Sequence, residues 1–265
     1  MTAASRPFRD QDLHAFVDEY RERHPDDVLA VDEPVGADQD LTAVAVELWR
    51  QGRFPMLMFS HVERFDPVPV VTNVFASRHR VARILGTDLE GIRDTYREAV
   101  LHPLPPRVVA NGPLLAGRVD EDLDLASFPM LRHFEQDRAS YLTSAIVLAT
   151  DPDTGVTNAS YHRCMVASKD TLATSLHSRG HLWGQLEKAQ DRGNLLEVAV
   201  VIGGHPLFML AASARVGIEV DERHIAGGLF GAPLEVGETP RYGIGVPATA
   251  DFLLEGTIDP GERLE

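Results

Sequence analysis

A single cysteine, Cys164, stands in a chain of 265 residues, so no intrachain disulfide can form and a reducing compartment, the cytoplasm, is the natural expectation. No apolar run approaches the ~20 residues that span a bilayer. The N-terminal MTAASRPFRDQDLH lacks the apolar stretch of a secretory signal. Basic residues are few: 25 Lys and Arg against 40 Asp and Glu give a formal net charge of -15. A nucleic-acid binder must neutralise phosphates, and an anionic membrane surface attracts basic segments, so neither is an expected partner. Low-complexity tracts, long linkers and internal repeats are also missing. What is present is an ordinary globular composition, enough for one large domain or two modest ones. A local arginine or a metal can still capture an anionic small molecule inside an acidic protein.

Asp10 to His24 carries Leu13, Phe16, Val17 and Tyr20 at helical spacing, which predicts a helix. Leu41 to Trp49, Ser77 to Leu85 and Leu89 to Val100 predict three more, and Val28 to Val31, Pro55 to Ser60 and Val68 to Val74 predict strands. The prolines of His102 to Arg107 (HPLPPR) break both kinds of element and mark a boundary region. Beyond it, Tyr141 to Thr150 and Leu196 to Gly203 are apolar and rich in β-branched residues and predict strands, and Phe252 to Ile258 is another candidate strand. Turn signals at Asp151 to Gly155 (DPDTG) and Gly203-Gly204 separate them. The expected fold class is α/β, of the α+β kind. A mixed α/β domain at 1–112 precedes a β-rich domain with a few helices at 113–265.

The segment densest in chemistry is Thr157 to Met165, TNASYHRCM, directly after that turn. Asn158 to Arg163 hold an amide, a hydroxyl, a phenol, an imidazole and a guanidinium. Taken alone, the segment also fits a polar loop or a half-exposed strand. Its apolar flanks start it from the core, and its groups suit a phosphorylated cofactor or a carboxylate. In a regular strand Asn158 and Arg163 have opposite parity and face opposite sides. Either the chain bends between them, or the two ends of a ligand lie on different sides of the strand.

This turn, Asn158, and an arginine five residues later resemble the opening motif of the UbiD family of prenylated-FMN-dependent (de)carboxylases. Val70 to Gly86, Ser127 to Thr143, Leu196 to Pro206, Ile225 to Val236 and Val246 to Gly256 are similar to family landmarks, in order. The resemblance implies that the second domain is a split β-barrel binding prenylated FMN. The implied activity is that of a carboxy-lyase, the reversible decarboxylation of an α,β-unsaturated or aromatic carboxylic acid. It assigns Asn158, His181 and Glu222 to a metal, Mn2+ with K+ as a further cation, and leaves Glu219 as the competitor of Glu222. It assigns Asn158, Ser160, Tyr161, His162, Arg163, Thr174, Ser175, Leu176, Arg179, Gly180 and His181 to the cofactor. Arg163 is also the implied catalytic arginine, pairing with the substrate carboxylate. An amide oxygen, an imidazole and a carboxylate suit a divalent ion, which removes the repulsion between carboxylate and cofactor phosphate. Without the resemblance, His181 reads as a helix-start histidine and Glu222 as a solvated charge.

Some positions depart from the family pattern. Arg138-Ala139-Ser140 stands where glycines usually follow the aspartate, and Asp251 replaces a common Glu. The family's EGPFGE-like motif, whose acids handle the proton, would begin where the sequence stops at Glu265. The expectation is a truncated part of a longer enzyme, weak or inactive alone, because a positioned acid contributes ~10²–10⁴-fold. A flavin prenyltransferase is the implied cofactor supplier, and a homo-oligomer the implied full-length form. Two other classes stay open. One is a non-catalytic UbiD-like cofactor-binding or assembly subunit. The other is a split-barrel reductase using ordinary FMN, which leaves the metal trio unexplained.

Overall fold

Asp12 sets the first helix. In the computed structural model, which describes residues 7–8, 10–65, 67–117, 122–176, 180–259 and 261, its carboxylate accepts from the Ala15 N–H and starts α1 (Leu13–Arg23). Phe16, Val17 and Tyr20 form the buried stripe of α1. β1 (Val28–Val31) runs parallel to β2 (Met56–Phe59), with α2 (Asp40–Arg50) as the crossover between them. Leu41, Ala45 and Leu48 of α2 pack on Leu57 and Phe59. β3 (Val70–Thr72) adds antiparallel to β2. Ser77 caps α3 (Arg78–Leu85), which stops at Gly86 in the left-handed region, and α4 (Ile92–Leu101) follows. Every element expected before residue 102 is present, with ends shifted by a few residues.

A buried ion-pair network ties this region together. The side chain of Arg80 is fully buried and grips Asp27 through Nε at 3.1 Å and Nη2 at 2.7 Å. It also donates to the carbonyls of Asn73 and Phe54 at 2.6 and 2.7 Å. Arg83 and the Tyr20 hydroxyl complete the shell around the same carboxylate, at 2.9 and 2.6 Å. Burial pushes the Asp27 carboxyl up, but hydrogen bonds from Arg80 and Tyr20 and the charges of Arg80 and Arg83 outweigh it and hold the group below its ordinary value.

The remaining elements are β4 (Arg107–Val108), β5 (Tyr141–Leu142), β6 (Ile146–Thr150), β7 (Thr157–Tyr161), β8 (Cys164–Val166) and β9 (Leu172–Thr174). They continue with α5 (His181–Asp191), β10 (Leu196–Ile202), α6 (Pro206–Ala211), α7 (Glu222–Phe230), β11 (Glu235–Glu238), β12 (Gly245–Pro247) and β13 (Phe252–Ile258). Three small sheets result, in the orders β13-β10-β6-β7, β12-β11-β4 and β5-β8-β9. The stretch expected as one strand, Tyr141 to Thr150, is two: β5 and β6 lie in different sheets. The Asn158 segment breaks likewise, into β7 and β8. Because β5 pairs with β8 and β6 with β7, both breaks fall at one corner. The chain therefore bends between Asn158 and Arg163. The fold class is the expected mixture of helices and small sheets, and among the described residues no helix is long and apolar enough to cross a membrane.

The four-stranded sheet is buried on both faces. Ile146, Leu148, Ala159, Ala199 and Val201 face the largest core cluster, while Val147, Ala149, Val198 and Val200 face a second one. α7 covers the first face through Ile225, Ala226, Leu229 and Phe230. α5 covers the second through Leu182, Leu186 and Ala189. The first cluster also takes Phe16, Ile84 and Ala99, so the N-terminal region shares a core with the β-rich region. Gly227 and Gly228 permit that sharing. A Cβ on Gly227 would meet the Leu104 carbonyl at 2.5 Å, and one on Gly228 the Ala99 carbonyl at 2.6 Å. Two bare glycines thus let α7 lie directly against the end of α4 and the proline-rich stretch.

Candidate cofactor and metal site

β7 lies at the end of its sheet, so among the described residues one side of its backbone has no strand neighbour. Unpaired edge N–H groups need partners. Glu222, the first residue of α7, supplies one: its Oε2 accepts the Ala159 N–H at 2.9 Å. Its Oε1 accepts from Asn158 Nδ2 at 3.0 Å. Asp221 takes over the helix cap by accepting from the Arg223 N–H, which leaves Glu222 free to reach the strand. His181, the first residue of α5, arrives from the opposite face. Its Nδ1 stands 3.3 Å from Asn158 Nδ2 and 4.0 Å from Glu222 Oε1. Two helix starts therefore meet at one strand edge. Both favour negative charge, and Gly180 gives α5 no side-chain cap among the described residues.

Burial pushes the Glu222 carboxyl up to about 7, with Asp221 adding to the rise. The N–H groups of Ala159 and of Glu222 itself, and the Asn158 amide, only partly offset this. Asn158 and Glu222 are 4% and 2% exposed, so water does little for either. A cation at this point would hold Glu222 ionised. The amide of Asn158 can complete such a site. The Ser160 hydroxyl bonds Asn158 Oδ1 at 2.9 Å, and a hydroxyl can donate or accept. A half-turn of the amide would therefore keep that bond and present the carbonyl oxygen to His181 and Glu222. The resulting amide oxygen, imidazole and carboxylate fit a divalent cation of mixed oxygen and nitrogen preference. Among the described residues no group of three or more His, Cys, Asp and Glu is gathered, since this trio has an amide as its third member.

The other expected residues fall around this centre. Ser160 also bonds His162 Nε2 at 3.0 Å, so polar side chains run in a line from His181 through Asn158 and Ser160 to His162. Burial lowers the His162 imidazole, which keeps it neutral. Tyr161 turns to the opposite face and packs on the main core, and burial raises its phenol above the ordinary value. Thr174 lies opposite Cys164 and turns its buried hydroxyl to that thiol. Leu176 packs on the second core, while Ser175 and Gly180 are exposed. Arg179 lies outside the described residues. Glu219 is exposed, and the buried trio contains Glu222 instead. Arg163, just past the corner, is exposed and lines a cavity of about 430 Å3 rather than joining the trio.

Sequence reasoning missed the Ala159 N–H, Asp221, and the cavity neighbours of Arg163, chiefly Trp49 and His133. Asp221 carried a signal, an aspartate immediately before a helix. The cavity residues carried none, because they come from distant parts of the chain.

Comparison with known proteins agrees with this architecture. Residues 21–100 match the family described as the 3-octaprenyl-4-hydroxybenzoate carboxy-lyase N-terminal domain, and residues 107–265 the corresponding Rift-related domain. The anhydromevalonate phosphate decarboxylase of Methanothermobacter thermautotrophicus is 33% identical over 83% of this chain and 50% of its own. A phenolic acid decarboxylase of Sedimentibacter hydroxybenzoicus is 30% identical over 89% of this chain and 52% of its own. A structure of an evolved dimeric form of the UbiD-class enzyme HmfF from Pelotomaculum thermopropionicum, in complex with prFMN, superposes with a TM-score of 0.88. It is 32% identical and covers 95% of this chain and 58% of that one. The chain spans about half the length of the curated relatives it matches.

Proposed function

Since the chain belongs to the UbiD family of carboxy-lyases, we infer that it is the cofactor-binding part of a prenylated-FMN-dependent decarboxylase acting on an α,β-unsaturated or aromatic carboxylic acid. The observation that carries this reading is the meeting of Asn158, His181 and Glu222 at the β7 edge. In this reading the trio holds Mn2+, which neutralises the cofactor phosphate beside the uncapped start of α5. K+ is the further cation the reading allows. Ser160 and His162 extend the contact along the same strand face, with Thr174 as a further cofactor contact of the reading. Arg163 holds the substrate carboxylate with its planar fork and so fixes the bond to be broken. Prenylated FMN, when bound, supplies the electron sink for loss of carbon dioxide. Burial of Tyr161 on the core face keeps that side of β7 dry and rigid.

The division into two domains near residue 112, the supply of cofactor by a flavin prenyltransferase and homo-oligomerisation of a longer form belong to the same reading. A non-catalytic cofactor-binding or assembly subunit would use the same site. The test is co-expression with a flavin prenyltransferase, followed by the absorbance spectrum and metal content of the purified chain. Prenylated flavin with manganese, both lost in Asn158→Ala, supports the reading. A colourless, metal-free chain rejects it, and ordinary FMN without metal indicates a reductase.

A further inference from the structure

α5 leans on the β6–β7 hairpin through a polar stripe that crosses its apolar face. His181, Gln185 and Lys188 stand at i, i+4 and i+7, with Arg192 at i+11 just past the helix end, so all four share one side. His181 Nδ1 lies 3.3 Å from the Asn158 amide nitrogen. One turn on, Gln185 donates through Nε2 to the Ala149 carbonyl at 3.3 Å, and Ala149 is the residue paired with Asn158 across the two strands. One turn further, Lys188 donates to Asp151 Oδ2 at 2.6 Å, with Asp153 Oδ2 at 3.4 Å. Arg192 pairs with Asp153 and donates to the Pro152 carbonyl at 2.7 Å. The buried Asp151 carboxylate also accepts from the N–H groups of Asp153 and Thr154 at 2.8 and 3.2 Å, so the turn that leads into β7 is held both from within and from the helix.

The Gln185 contact is made at a cost to the fold. Gln185 is 1% exposed, and its Oε1 has no hydrogen-bond partner among the described residues. Its amide is held in this sense, because the Ala149 carbonyl can accept only from the nitrogen. A leucine at this place would join Leu182, Leu186 and Ala189 against the second core and bury no unpaired oxygen. A buried polar group that stability does not require calls for another explanation. Gly180 gives α5 no side-chain cap among the described residues, so the body of the helix is left to fix where His181 stands.

We propose that Gln185 and Lys188 are positioning residues of the cation site: by tying α5 to the β6–β7 hairpin they set the distance of His181 from Asn158, and so the gap that a divalent ion fills. The proposal rests on the reading of Asn158, His181 and Glu222 as cation ligands. Gln185 fixes the register of helix against strand one turn from His181. Lys188 fixes the lie of the helix from its far end. Glu222 arrives with α7 on the opposite face of the sheet and stands outside this stripe.

Calorimetric titration of the purified chain with Mn2+, paired with urea unfolding of the metal-free chain, tests this. Gln185→Leu is expected to weaken Mn2+ about tenfold while leaving the metal-free unfolding midpoint at or above the wild-type value. Lys188→Met is expected to weaken Mn2+ by a smaller factor, and Lys188→Arg, which keeps the pair with Asp151, to retain wild-type affinity. If Gln185→Leu and Lys188→Met bind Mn2+ as the wild type does while Asn158→Ala does not, the cation site stands and the positioning proposal is overturned. If midpoint and affinity fall together in Gln185→Leu, the residue serves the fold and the proposal is overturned as well. If the wild-type chain binds no Mn2+, or Asn158→Ala binds it unchanged, the cation reading itself fails and the proposal with it.

Discussion

Two carboxylates of this chain, Asp27 half-buried and Glu222 buried, meet opposite fates. Asp27 is gripped by Arg80 and Arg83 and by the Tyr20 hydroxyl, and its carboxyl is held below the ordinary value. Glu222 has an amide, an N–H and a histidine near it but no lysine or arginine ion pair among the described residues, and burial pushes it up to about 7. The same chemical group is thus complete in one place and incomplete in the other. A network that already has its cations serves the fold. A buried carboxylate beside an imidazole and an amide is prepared for a cation that the described residues do not supply.

The largest expected effect comes from breaking the complete network. Arg80→Met leaves Asp27 half-buried with one guanidinium fewer, and loss of one partner of a buried pair costs roughly 3–5 kcal/mol. Urea unfolding should show this as a lower midpoint, and an unchanged midpoint would place the stability elsewhere. At the incomplete site the effect should appear only with ligand. Mn2+ at a hundred times its dissociation constant should raise folding stability by about 2.7 kcal/mol, and Glu222→Gln should abolish the gain. The mutation should leave the metal-free chain nearly as stable, since it removes a poorly solvated carboxyl. Next is Gly228→Ala, whose Cβ would press on the Ala99 carbonyl and should cost about 1–3 kcal/mol in the same unfolding assay.

A smaller difference should appear with pH. The Asp27 carboxyl titrates lower in the folded chain than its unfolded value of about 3.8, so its stabilising contribution is present above that value. It is lost as pH falls through the depressed folded value. Wild type and Asp27→Asn should therefore converge in stability at low pH, separate as pH rises from the depressed folded value toward 4, and keep a constant separation above it. Parallel curves would contradict the assignment. The smallest expected effect is that of Glu219→Gln, an exposed position, which should leave Mn2+ affinity unchanged.

The local parts of this comparison were legible in the sequence and the non-local parts were not. The helices read from Asp10 and Ser77 are there as α1 and α3, and Phe252 to Ile258 is β13 with the expected bounds. The corner was invisible. Thr143-Ser144-Ala145 contains neither glycine nor proline, and the break there is set by the pairing of β5 with β8 and β6 with β7. Asn158, His181 and Glu222 came forward through family resemblance, because residues 23 and 64 apart share no local signal. The Ala159 N–H could not be anticipated, since its need for a partner follows from β7 being an edge. Trp49, His133 and Arg163 line one cavity although they lie far apart in the sequence.

Titration of the metal-free chain with Mn2+, followed by the paramagnetic resonance signal of the free ion, tests the central claim most directly. One ion should bind per chain, and Asn158→Ala, His181→Ala and Glu222→Gln should each weaken it about tenfold or more. Binding that survives all three substitutions unchanged would contradict a cation site at the β7 edge.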